Sequence, residues 1–328
     1  MDMSIKKVKK FLALAAALVM AGTACAQSFS DRPIRIIVPF AAGGANDLIA
    51  RALQKPLGEA LGATVVVQNL AGGSTKIAVA ELTRSAPDGH TLMLAGHAAL
   101  LGYYYSGGVF ETKFWRDLTI LGQTGQMAYG MIETRIDSPF KTWKDVVDFG
   151  KKNPGKLTVG GPALGGMMNL IVLETAKAAG LDVTYVPYRG GGPSGFAVLA
   201  GEVSYRVAQP PEVFPNVAAG KTRALAVAFP TRIPEMPDVP TVKELGMNID
   251  IPVFGFDVWG PAQMPPAMAN KITEAIKVAI KDKAYIEVAK RLLYQPMFTG
   301  PQELRASMRT FEETTGPKME AAFPHKAQ

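Results

Sequence analysis

Four times in this chain an apolar, β-prone run gives way to a loop with paired glycines, and the loop to an apolar segment of helical period. The loops are Gly43-Gly44, Gly72-Gly73, Gly165-Gly166 and Gly190-Gly191-Gly192. A strand followed by a crossover helix returns parallel to the strand it left, so strands and helices that alternate throughout commit the chain to an α/β fold with largely parallel sheets. In open sheets of this kind, ligands bind beyond the carboxyl ends of the strands. The four loops are therefore expected to face one crevice, with two loops from the N-terminal third and two from the middle of the chain.

The first unit is the most explicit. Residues 34–38 read as a strand bounded by Pro39, Phe40 to Gly44 as a small-residue loop, and Leu48, Ile49, Ala52 and Leu53 as the apolar face of a helix. That helix is expected to run to about Leu61, with Pro56 ending or kinking it. Loops of this kind bind anions, because glycines let the backbone approach a ligand and the first N–H groups of a helix are unpaired at the positive end of its dipole. The alternative is a plain strand-to-helix turn in which Asn46 and Asp47 cap the helix.

Further strands are expected at 64–68, 91–95, 157–159, 183–186, 203–207 and 224–227. Helices are expected at 77–82, 143–151, 168–179, 196–199, 212–219, 267–280, 284–292 and 301–313, with a short one at 242–245. Tyr103-Tyr104-Tyr105 falls in a stretch read as irregular. Residues 253–259 form an apolar run that carries Asp257 between Phe256 and Val258, where alternation places it opposite Phe256.

At the N terminus, Lys6, Lys7, Lys9 and Lys10 precede an apolar run over 11–21 and a small-residue stretch ending Ala24-Cys25-Ala26. This is a secretory signal peptide with an Ala-x-Ala site, too short in its apolar part to span a membrane, and cleavage is expected after Ala26. Lipid attachment at Cys25 ranks below simple secretion, since Gly22 stands where such a signal normally has Leu. Cleavage there removes the single cysteine, so neither disulfides nor thiolate chemistry remain. It also removes four Lys and one Asp from 35 basic and 28 acidic residues, leaving a net charge of +4. The remaining basic residues are scattered and aromatic residues are few, which does not indicate a nucleic-acid surface. About 300 residues exceed one ordinary core. Two lobes of an exported, soluble protein are expected.

The chemistry of catalysis is mostly missing. The chain has no G-x-G-x-x-G, no Walker A loop despite Gly73-Ser74-Thr75-Lys76, and no G-x-S-x-G around Ser194. His90, His97 and His325 are not spaced as metal ligands, so no metal and no cofactor are expected. One enzymatic alternative stays open: an exported hydrolase in which Asp47 and Asp257 meet as an acid–base pair.

Five segments together resemble the solute receptors of tripartite tricarboxylate transporters, the Bug (TctC-like) family. They are Val38-Pro39-Phe40-Ala41-Ala42-Gly43-Gly44-Ala45-Asn46-Asp47, Ala86-Pro87-Asp88-Gly89-His90-Thr91-Leu92, Val186-Pro187-Tyr188-Arg189-Gly190, the run 219–227, and Pro237-Asp238-Val239-Pro240-Thr241-Val242. The resemblance extends from about residue 31 to the C terminus. It implies a type II periplasmic binding protein, with lobe 1 from 27–127 and 250–328 and lobe 2 from 128–249. It also implies a monomer that closes on a small carboxylate and hands it to membrane permease subunits. A sensor protein in place of the permease is the alternative partner. The ligand-binding residues expected, from the loops that match the family and from positions where this chain departs from its pattern, are Phe40, Ala42, Gly43, Gly44, Asp47, His97, Gly165, Gly166, Met167, Asn169, Tyr188, Gly190, Gln209 and Asp257. An acid beside a bound carboxylate would repel it, so Asp47 is expected to brace its loop through backbone N–H groups.

Departures from the family pattern concern the distal pocket. Where hydroxyl and imidazole donors are usual, this chain has Met167, Met168 and Asn169; where Phe-Asp-Asn is usual, it has Val207, Ala208 and Gln209; Asp257 follows Phe256 where Gly is common; and Arg-Pro does not follow Asn69. These changes suit an apolar or aromatic body better than a second carboxylate, with Asp257 available to accept from a hydroxyl or amine. The alternative is that the methionines only pack their own helix.

Overall fold

The structure, a computed structural model, describes Phe29 and residues 32–107, 113–127, 130–249 and 254–324. The expected leader with Cys25, the C-terminal His325 and Val253 lie outside the described residues.

Ten strands are described: β1 (Ile34–Val38), β2 (Val65–Asn69), β3 (Thr91–Ala95), β4 (Thr119–Gln123), β5 (Gly130–Arg135), β6 (Leu157–Pro162), β7 (Val183–Tyr188), β8 (Tyr205–Ala208), β9 (Thr222–Ala228) and β10 (Asp257–Gly260). They form two five-stranded sheets, ordered β2-β1-β3-β10-β4 and β7-β6-β8-β5-β9. The two sheets share one plan. In each, three parallel strands lie side by side, followed by a strand antiparallel to both of its neighbours: β10 between β3 and β4, and β5 between β8 and β9. Those reversed strands are the first to enter the second sheet and the last to return to the first.

Burial follows from this position. In β1 the side chains of Ile34, Ile36, Ile37 and Val38 are all fully buried, because helices cover both faces of a central parallel strand. In β10, Val258 and Trp259 are fully buried, and the Trp259 indole donates from Nε1 to Ala95 O at 2.8 Å. Between the lobes, Met127 pairs with Phe254 in an antiparallel bridge, on the edge of residues outside the described set.

Several elements differ from the expectations of the sequence. The tyrosine run is not irregular but ends the helix His97–Tyr105, whose Leu100, Leu101, Tyr103 and Tyr105 are buried. That helix is apolar nearly all round, so no polar face marks its period. Pro56 does not end its helix, which continues to Leu61 and stops at Gly62, in the left-handed conformation. Residues 242–245 make turns, although Thr241 N donates to Glu244 Oε2 and Glu244 N to Thr241 Oγ1, a cap with no helix behind it. The C-terminal helix runs from Pro301 to Ala322 with Pro317 inside it. Among the described residues no helix is long and apolar enough to cross a membrane.

Candidate functional site

At the carboxyl ends of β1, β6 and β7, short loops lead into the helices Ala45–Leu61, Met167–Ala179 and Gly191–Ala200, each with a glycine at its N-cap and no side-chain cap there. The first belongs to one lobe and the other two to the opposite lobe. These loops touch. Ala41 N donates to Arg189 O at 3.1 Å across the cleft. A Cβ added to Gly192 would lie 2.3 Å from Ala42 O, and one added to Gly166 would lie 2.8 Å from the Tyr103 hydroxyl. Glycine at these points is what lets backbone meet the opposite lobe.

Two of the loops are braced in the same way. The third residue of each following helix reaches back to the loop: Asp47 Oδ2 accepts from Gly43 N at 3.0 Å, and Asn169 Oδ1 accepts from Gly165 N at 3.1 Å. Gly43 and Gly165 both have φ near +80°, a conformation glycine adopts without strain. Asp47 also takes hydrogen bonds from Asn69 Nδ2 and Arg51 Nε. Burial opposes its ionisation, but the bonds from Arg51, Gly43 and Asn69 outweigh that and hold its pKa below the ordinary aspartate value.

The loops line a small cavity of about 40 Å³ that opens to solvent, bordered by Phe40, Gly44, Asn46, Ala99, Tyr103, Pro162, Met167, Met168, Gly191, Gln209, Glu212 and Phe254. One wall is aromatic and apolar, with the Phe40 and Tyr103 rings 6.5 Å apart between centroids. Burial drives the Tyr103 hydroxyl far above its usual pKa, so it stays neutral. The polar groups are Asn46, Gln209 and Glu212. Glu212 Oε1 accepts from Ala45 N at 2.8 Å, so a carboxylate of one lobe caps the first helix of the other. Burial raises the Glu212 pKa, against the opposing effect of Arg206 and the backbone donors. A larger groove of about 590 Å³ lies near Phe229, Arg232, Lys290 and Tyr294, but its lining includes none of these three loops.

Of the residues expected at the site, Phe40, Gly44, Met167 and Gln209 line the cavity. Ala42, Gly43, Gly165, Gly166 and Gly190 form the interlobe contacts beside it, and Asp47 and Asn169 brace the loops. Three lie elsewhere. Tyr188 turns away, donating from its hydroxyl to Glu202 Oε2 at 3.2 Å. His97 and Asp257 are bonded to each other: Asp257 Oδ2 lies 2.6 Å from His97 N and 2.8 Å from His97 Nδ1, and Oδ1 accepts from Gln123 Nε2. Asp257 is thereby bonded through both oxygens and fully buried, outside the cavity lining, and among the described residues it shares no hydrogen-bond partner with Asp47. Among the described residues no cluster of His, Cys, Asp or Glu is arranged to hold a metal ion. Met168, expected to pack against an apolar solute body, does line the cavity, and Asn46 and Pro162 come from the expected loops; not foreseen were Ala99, Tyr103, Gly191, Glu212 and Phe254. Glu212 carried one readable signal, an acid in the first turn of a helix that begins Pro210-Pro211.

Residues 49–315 match the model of the tripartite tricarboxylate transporter family receptor. A protein of Cupriavidus necator described as "UPF0065 protein in gbd 5'region" is 32% identical over 87% of this chain and 85% of its own length. Bordetella pertussis BugT is 29% identical over 87% of this chain and 88% of its own. Among solved structures, one described as a periplasmic transporter is 28% identical with a TM-score of 0.81, covering 89% of this chain and 96% of its own. The fold is also that of MatC from Rhodopseudomonas palustris with bound malate, 23% identical with a TM-score of 0.79, covering 87% and 99% of the two chains. A second R. palustris protein, solved with adipate, is 22% identical with a TM-score of 0.82, covering 89% and 97%.

Proposed function

The chain belongs to the tripartite tricarboxylate transporter receptor family, which makes it a solute-binding receptor and not an enzyme, and we propose that it captures a small organic carboxylate in the periplasm for delivery to a membrane permease. The observation that carries this reading is the cavity between the strand-end loops, with the N-terminus of the helix Met167–Ala179 in its wall and no side chain capping it. Such a terminus favours an anion through its N–H groups and its dipole. The malate and adipate bound by two proteins of the same fold support a carboxylate of that size.

Phe40, Tyr103, Met167, Met168 and Phe254 give the solute an apolar or aromatic body to lie against. On this reading the lobes hinge about the paired Met127 and Phe254, which stand between the strands of one sheet and those of the other. The solute drives closure only to the extent that it binds the closed arrangement better than the open one. A panel of aliphatic and aromatic carboxylates screened by thermal unfolding contains a stabiliser on this reading, since about 100-fold excess over Kd adds roughly 2.7 kcal/mol. Stabilisation by neutral or cationic solutes alone, with no response to any carboxylate, removes the carboxylate assignment.

A further inference from the structure

Resting on that reading, we propose that Glu212 and Asn46 form a specificity pole that selects a carboxylate solute bearing a second, hydrogen-bond-donating group, an amine or a hydroxyl, over a dicarboxylate. Among the described residues the cavity lining contains no Lys, Arg or His, and its one charged side chain is the Glu212 carboxylate. The Glu212 side chain is 8% exposed. It sits where a solute carboxylate would otherwise cap the helix Ala45–Leu61, since its Oε1 already takes the Ala45 N–H.

The groups around Glu212 do not cancel its acceptor character. Arg206 Nη1 is 3.9 Å from Oε2, too far for a hydrogen bond. That nitrogen is engaged by Gly191 O at 2.8 Å and Ser194 Oγ at 3.2 Å, while Arg206 Nε is paired with the fully buried Glu133. Oε2 therefore keeps capacity to accept from a ligand. Asn46 gives the second, independent observation. It is buried to 7% exposure in the cavity wall, and its Oδ1 has no hydrogen-bond partner. A buried acceptor left unpaired is costly, and a donor on the solute satisfies it.

A second carboxylate at this pole would meet a like charge and an unpaired acceptor, which disfavours it. An ammonium or hydroxyl meets two acceptors. The solute's own carboxylate is then oriented to the opposite pole, toward the helix Met167–Ala179, with the apolar wall between.

Two matched series test this by calorimetry on the intact mature protein. They are adipate against its omega-amino and omega-hydroxy monocarboxylate analogues, and terephthalate against para-aminomethylbenzoate and para-hydroxymethylbenzoate. The wild-type protein is expected to bind the donor-bearing member of at least one series ten times or more tighter than the dicarboxylate. In E212Q that ratio falls below threefold. A wild-type preference for the dicarboxylate, equal affinities, or an undiminished ratio in folded E212Q overturns the specificity pole and leaves the carboxylate reading standing. No binding of any of the six probes overturns both. If E212Q does not fold, the wild-type ratios alone decide.

Discussion

Gly192→Ala separates the closure of the lobes from the stability of each lobe. Gly192 lies in the first turn of the helix Gly191–Ala200, where alanine has the better helix propensity by up to about 1 kcal/mol, so local energetics favour the change. Across the cleft the sign reverses. The added Cβ would sit 2.3 Å from Ala42 O and 3.2 Å from the Gly43 carbonyl carbon, both backbone atoms. Restoring an ordinary contact of about 3.5 Å requires the loops to part by roughly 1 Å. That displacement removes the Ala41 N to Arg189 O bond and the charge-assisted bond from Ala45 N to Glu212 Oε1. At about 1 kcal/mol for the first and 1.5–3 kcal/mol for the second, closure weakens by about 2–4 kcal/mol, or roughly 30- to 1,000-fold. Hydrogen exchange reads this directly. The Ala45 amide should exchange faster by that factor, while amides inside the helix Gly191–Ala200 stay as protected as before, and small-angle scattering should show a larger radius of gyration. An Ala45 amide as protected in Gly192→Ala as in the wild type refutes the reasoning.

Two further substitutions address the supports behind the site. Asp47→Ala deprives Gly43 N, Asn69 Nδ2 and Arg51 of their common acceptor and should cost about 2–4 kcal/mol in urea unfolding at neutral pH. Because the folded pKa of Asp47 lies below its ordinary value of 3.8, its contribution is present above that value and is lost as pH falls through the lower folded one. Wild type and Asp47→Asn should therefore converge at the acid end of a pH series, and a constant difference between them would contradict the assignment. Arg206→Ala leaves Glu133 buried without its cation and should cost about 3–5 kcal/mol, with most of it recovered in the double variant Glu133→Gln, Arg206→Met. Denaturant midpoints that show no recovery in the double variant would mean that Arg206 acts chiefly through Gly191 O and Ser194 Oγ.

The sequence by itself determined the α/β class, the strand–glycine loop–helix units, and the parts of the site nearest in sequence to those glycines: Phe40, Gly44 and Met167 in the wall, and Asp47 as the brace of its own loop. These are local properties. Strand and helix periods, the need for glycine where φ is positive, and a side chain reaching back four residues are written within a few positions of one another. The helix His97–Tyr105 was hidden for a local reason too, since an element buried all round carries no amphipathic period.

Only the tertiary structure decided how distant groups pair. Asp257 reads as a wall residue until β10 is placed between β3 and β4, where His97 and Gln123 take both its oxygens. Glu212 reads as an ordinary first-turn acid until its lobe meets the other and its carboxylate takes the Ala45 N–H, 167 residues away in sequence. Tyr103 and Phe254 became wall residues in the same way. Which strands neighbour one another, and which helix ends oppose across a cleft, depends on the free energy of packing the whole chain. No window of sequence contains that sum, and so the glycine loop at Pro39 to Asp47 was readable while the carboxylate that faces it was not.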